Sequence, residues 1–108
     1  MQLKSFLNQL LNHLEKSDFS VLGVDDSEEY TKTESKKEVL NLLLNLDEAH
    51  LIIKHKSIQC GKHYIFMVFE SQEYKKEDIL DILCDWSYNQ DDKDGFNACL
   101  ESFSEKYK

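Results

Sequence analysis

Ala49-His-Leu-Ile-Ile-Lys-His55 and His63-Tyr-Ile-Phe-Met-Val-Phe-Glu70 are two apolar runs with a turn-like Ser57-Ile-Gln-Cys-Gly-Lys62 between them. Each run is rich in β-branched and aromatic residues and too short for a typical helix, and Gly61 lies between them. The pattern predicts a β-hairpin. With Cys60-Gly61 as a two-residue turn, Ile53 faces Val68 and His55 faces Phe66. Leu51, Ile53, His55, Tyr64, Phe66 and Val68 then share one face, and Ile52, Lys54, Lys56, Ile65, Met67 and Phe69 the other. A loop longer by one residue inverts that assignment. The second run, apolar on both faces, reads as the more buried strand. The first carries lysines and reads as the edge, because Lys discourages stray pairing.

Outward from the hairpin the chain reads as helix. Leu3, Phe6, Leu7, Leu10, Leu11 and Leu14 recur at helical spacing, with Lys4, Asn8, Asn12 and Glu15 opposite. The stripe lacks a basic rim, so core packing fits it better than a membrane surface. Phe19-Ser-Val-Leu-Gly-Val24 reads as a short third strand beside the hairpin, and Asp25 to Glu34 as an exposed polar loop or helical turn. Ser35-Lys-Lys-Glu38 has the form of a capping box and predicts the start of a second helix, with Val39, Leu42, Leu43 and Leu46 on its apolar face and Leu40 and Leu44 widening it. Past the hairpin, Ser71 opens a third helix through Tyr74, Ile79, Ile82, Leu83 and Trp86. Asp94 opens a fourth through Phe96, Cys99, Leu100, Phe103 and Tyr107. The expectation is one α+β domain over residues 1–108, an antiparallel hairpin or three-stranded sheet packed with about four helices.

Charge excludes some functions. The chain carries 21 acidic residues against 13 Lys and no Arg, a net charge of −8. Affinity for nucleic acid comes largely from cations that displace counterions, so direct DNA or RNA binding is not expected. Residues 25–48 hold 8 acidic side chains against 3 Lys, whereas 49–69 hold 3 Lys and no acid. Three cysteines, at 60, 84 and 99, form no CxxC pair and leave one over, which fits free thiols in a reducing compartment. The N-terminus lacks the unbroken apolar core of a signal peptide, and no 18-residue apolar run occurs. The expected location is the cytoplasm.

Chemistry-bearing clusters are sparse. His50, His55, Cys60 and His63 are four zinc-ligand types within fourteen residues, but His50 and His55 have opposite strand parity and cannot face one ion from a regular strand. Gln90 to Glu101 resembles a degenerate EF-hand loop, with Asp92, Asp94, Gly95 and Glu101 at the third, fifth, sixth and twelfth positions. Gln90 stands where that motif has its first Asp, Asn97 where it has an apolar residue, and a turn that ends one helix and caps the next explains the same residues. Cys60 with His63 and His55 is the only nucleophile pair in view, without a recognisable oxyanion donor or orienting group. No Gly-rich phosphate loop, GxSxG or HExxH is present. An enzyme, a metal or a cofactor is therefore not expected.

A binding module remains. The acidic residues suit a protein that sequesters a basic partner, such as a toxin nuclease or another nucleic-acid-binding protein, by placing carboxylates where phosphates would sit. Size, charge and composition are of the kind found in immunity and anti-defence proteins. The candidate contact residues are Asp25, Asp26, Glu28, Glu29, Tyr30, Asp81, Asp85, Tyr88, Asp91, Asp92 and Asp94. Trp86, on the apolar face of its helix, reads as core. The alternative is a regulatory or scaffold subunit that forms a homodimer or assembly through the hairpin edge or the leucine-rich second helix.

Overall fold

Phe19, Val21 and Val24 cannot all face one side of a regular strand, because side chains alternate and 24 has the wrong parity. In the computed structural model, which describes residues 2–26, 28–59, 61–69, 73–75 and 94–107, a β-bulge at Leu22 resolves the conflict. The strand β1, Phe19–Asp25, pairs with β3, Glu48–His55, as Val21 with Ile53 and then Gly23 with Ile52. The extra residue restores Val24 to the side of Phe19 and Val21. Strand β2, Tyr30–Lys32, pairs with the other side of β1, and β4, His63–Val68, with the other side of β3. All pairings are antiparallel and the order is β2-β1-β3-β4.

Among the described residues the sheet therefore has four strands rather than two or three. The additional one, β2, lies in the segment the sequence presents as a polar loop. The hairpin register also differs from expectation. Ile53 faces His63 rather than Val68, and Glu48 faces Val68. An odd shift inverts the faces of β4, so that Ile65 and Met67 join Ala49, Leu51 and Ile53 inside while Tyr64, Phe66 and Val68 point away. The cause is local. The Nδ1 of His55 accepts the amides of Ser57 and Ile58, each at 3.0 Å, so the chain bends well before Cys60-Gly61. Lys56 N–H donates to the carbonyl of Asp18, extending the β1–β3 ladder by one pair. The edge assignment is likewise reversed: β3 is central, since β1 covers the flank that its lysines were expected to protect, and among the described residues β4 is at the margin.

Among the described residues there are three α-helices, and their apolar faces join one core on the inner side of the sheet. The helix expected from Ser71 to Trp86 is not seen where it can be followed: Glu73 to Lys75 are not helical, and Glu73 forms an isolated antiparallel bridge with Gln2; the rest of that stretch lies outside the described residues. The first helix, α1, Leu3–Lys16, buries Leu3, Phe6, Leu7, Leu10, Leu11 and Leu14. Its N-cap, Gln2, makes no side-chain hydrogen bond. A cap is worth about 1 kcal/mol, and a buried Leu or Phe side chain about 2 kcal/mol, so packing holds this helix. The second, α2, Lys36–Leu44, starts at the expected Ser35, whose Oγ accepts the Glu38 amide at 3.4 Å. The amide of Ser35 donates instead to Thr33 Oγ1. Lys36 donates to the side-chain oxygen of Asn12 and ties α2 to α1. The third, α3, Phe96–Ser104, follows Gly95 in the left-handed region and continues into a 3-10 turn, Glu105–Tyr107. Tyr107 meets Phe6 and Phe103 edge to face, and Phe6 and Phe103 pack at a tilt, between α1 and this C-terminal segment. No helix among the described residues is long and apolar enough to cross a membrane.

Candidate functional site: an acidic hairpin tip

The β1–β2 connection gathers Asp25, Asp26, Glu28, Glu29 and Tyr30 at one end of the sheet, where Asp25 pairs with Tyr30. Asp26 organises the turn. Its Oδ1 accepts the amide of Glu28 at 2.9 Å and that of Glu29 at 2.6 Å, while its own amide donates to the Glu29 carbonyl at 3.1 Å. Hydrogen bonds from the Glu29 and then the Glu28 amide favour the anion and hold the Asp26 carboxyl below its ordinary range. The side chains of Glu28 and Glu29 are exposed. An acidic surface is thus displayed on a turn whose backbone is fixed by one of its own carboxylates.

Tyr30 is fixed from the strand side. Its ring lies over Gly23, where an added Cβ would come within 2.9 Å of the ring and 2.4 Å of the Thr31 carbonyl. Its hydroxyl donates to the Leu22 carbonyl at 3.3 Å, and the Thr33 amide donates to the same oxygen at 3.0 Å. The bulge that corrects the parity of β1 therefore also seats the tyrosine. With 45% of its surface exposed, Tyr30 offers an aromatic face beside the carboxylates. A transverse row then crosses the outer face of the sheet: Tyr30 beside Asp25, Asp25 beside His50, and His50 beside Phe66, the last two rings 4.9 Å apart.

Asp94 is not part of this surface. Its carboxylate is fully buried, 2.5 Å from Nε2 of the equally buried His63, and its other oxygen accepts the Phe96 amide at 3.2 Å. His63 stacks on Phe96 at 4.1 Å, and Phe19 meets both rings edge-on. The pair ties the root of β4 to the start of α3, so Asp94 reads as structural. Asp81, Asp85, Tyr88, Asp91 and Asp92, together with Trp86, lie outside the described residues.

The other clusters read from the sequence do not converge. His50 is on the outer face, His63 is buried on Asp94, and His55 holds its own loop; Cys60 is outside the described residues. Among the described residues no group of three or more His, Cys, Asp or Glu side chains could hold a metal ion. In the loop resembling an EF-hand, residues 90–93 lie outside the described set, Asp94 is engaged with His63, and Glu101 is in α3. Cys99 is buried, and burial pushes its thiol above the ordinary range, away from nucleophilic character. A groove of about 290 Å³ is lined by Leu11, Phe19 and Val21 together with Glu15, Glu34, Lys36 and Lys56, and its mixed charges select no ligand sign. The leucines of α2 serve the core: Val39 and Leu43 are buried, and Leu40, Leu42 and Leu44 are partly buried against the core cluster.

Three features go beyond the sequence expectation. The strand β2 could have been found from Tyr30-Thr31, an aromatic and a β-branched residue in succession. The bulge could have been found from the parity of Phe19, Val21 and Val24. Nothing local links His63 to Asp94. Comparison with family models, with curated proteins and with solved structures returns no match to this chain.

Proposed function

We propose that this protein is a binding module that holds a basic protein through the β1–β2 tip, and that it acts as an inhibitor, covering a surface its partner would offer to nucleic acid. One observation carries the reading: the Asp26 carboxylate fixes the amides of Glu28 and Glu29, so the charged side chains leave a turn that is already ordered. A prearranged charge cluster loses less conformational freedom on binding than a mobile one. Complementary charge speeds encounter and rejects partners of the wrong sign. Tyr30 adds an aromatic anchor of the type that dominates interface energetics. Immunity proteins and anti-defence proteins are the kind of module this describes.

The test is capture by the immobilised chain from lysate of the source organism, washed at low and high ionic strength and repeated with Glu28→Lys/Glu29→Lys. The reading expects a basic protein that is retained at low salt, released at high salt and lost with the double reversal. A partner that survives both would contradict it, because screening acts within about 10 Å at 0.1 M salt and exposed charges feel it most.

A further inference from the structure

A strand at the margin of a sheet leaves half of its backbone groups unpaired, and proteins usually blunt such margins with charge, proline, a bulge or brevity. The β4 margin has none of these. Its sequence, His63-Tyr-Ile-Phe-Met-Val68, contains no Asp, Glu, Lys or Pro, and its register with β3 is unbroken. Every other strand is charged, through Asp25 in β1, Lys32 in β2, and Glu48 and Lys54 in β3. Among the described residues no strand pairs with the outer side of β4.

The ladder fixes which groups point outward. Phe69 N–H donates to the Asp47 carbonyl at 2.6 Å, in step with the β3–β4 register, so the odd residues of β4 bond to β3. Bonding direction alternates along an antiparallel strand. Tyr64, Phe66 and Val68 therefore present their amides and carbonyls at the free margin. We infer that β4 is a self-association edge, and that the partner is a second copy of this chain, added antiparallel about a two-fold axis at Phe66.

That register follows from the strand. Facing residues must share a side of the sheet, so even residues meet even residues. Placing Phe66 opposite its own copy puts Tyr64 opposite Val68, and each of the three outward residues then exchanges both of its backbone bonds. Centring the axis on Ile65 instead sets Tyr64 against Phe66 and leaves Val68 without a partner inside the strand. The Phe66 register also brings Phe66 against Phe66 and the exposed Tyr64 against Val68 on the outer face, pairs of the type that stabilise sheets. Two molecules of net charge −8 repel, and an uncharged strand is where that repulsion interferes least. An unrelated peptide would satisfy the same backbone groups, but the two-fold match of a six-residue strand with itself favours the second copy. Strand order places β2 at the opposite margin, so a pair joined through β4 keeps both acidic tips open.

The experiment is sedimentation velocity on the full chain over a concentration series, with Tyr64→Lys and Phe66→Lys compared at matched circular dichroism. Both side chains are on the outer face, away from the core. The expected result is a concentration-dependent dimer that both substitutions abolish. Mild oxidation of Phe66→Cys is expected to give a disulfide-linked dimer absent from the parent chain and from Tyr64→Cys, since facing Cα atoms in a hydrogen-bonded pair lie about 5.5 Å apart, within disulfide reach. A parent that stays monomeric throughout, a dimer that survives both lysines, or cross-linking no greater for Phe66→Cys than for Tyr64→Cys would overturn the inference.

Discussion

The two margins of the sheet are built in opposite ways. At one, β2 is three residues long, carries Lys32, and ends in a turn crowded with carboxylates; its neighbour β1 is bulged at Leu22. At the other, β4 is six residues long, uncharged and regular. The first has devices that keep strands from pairing with strangers, and among the described residues the second shows none. The contrast teaches that so small a chain can equip its two margins for different contacts: side-chain charge is displayed where backbone pairing is hindered, and, among the described residues, backbone groups lie open where side-chain charge is absent.

The largest test breaks the anchor of β4. Asp94→Ala removes the partner of buried His63 and the acceptor of the Phe96 amide, and leaving buried polar groups unpaired in this way costs about 3 kcal/mol. Urea unfolding should show that loss, with a smaller one for Asp94→Asn, which keeps an acceptor for the amide. At the other margin, Gly23→Val forces a side chain into the Thr31 carbonyl and the Tyr30 ring. Overpacking of this kind costs about 2 kcal/mol, and the amide signals of Tyr30 to Lys32 should move most.

A test by pH separates the helical layer from both margins. Burial above all holds His13 below its ordinary 6.5, although its Nε2 lies 3.0 Å from the Cys99 carbonyl. The neutral ring is favoured in the folded state, so this contribution is complete above 6.5. As pH falls through 6.5 towards the lower folded value, the unfolded chain binds the proton first and stability decreases. Urea midpoints measured on either side of 6.5 should show the decline, and His13→Gln should flatten it. The smallest effect belongs to the tip. Asp26→Ala should leave global unfolding almost unchanged but speed hydrogen exchange at the Glu28 and Glu29 amides. In the parent, the Asp26 carboxyl should titrate below 3.8, so the ordering of the turn is present above that value and is lost as pH falls through the folded one.

Much of the inner layer was legible because its signals are periodic. Every apolar position expected on α1 is buried, Ser35 caps α2 as its spacing implied, and Phe96, Cys99, Leu100 and Phe103 line α3. The outer layer was less legible because single residues decide it. Hydrogen bonds that His55 accepts from the amides of its own loop reset the hairpin register, and nothing in the alternation of β4 distinguishes one face from the other when both are apolar. The acidic tip was legible as composition, whereas its ordering by Asp26 and the seating of Tyr30 on Gly23 depend on a strand that polar neighbours concealed. Asp94 reads as a surface carboxylate in the sequence because its partner lies 31 positions away in the chain.

The most direct measurement is residue-resolved amide hydrogen exchange along β4 in dilute and concentrated solution. The contrast between the margins predicts that Ile65 and Met67, bonded to β3, are protected at both concentrations. Tyr64, Phe66 and Val68 should exchange freely when dilute and become protected when concentrated, while Glu28 and Glu29 at the tip do not change. Protection of Tyr64, Phe66 and Val68 that is already complete in dilute solution, or exchange there that is indifferent to concentration, would contradict an open margin at β4.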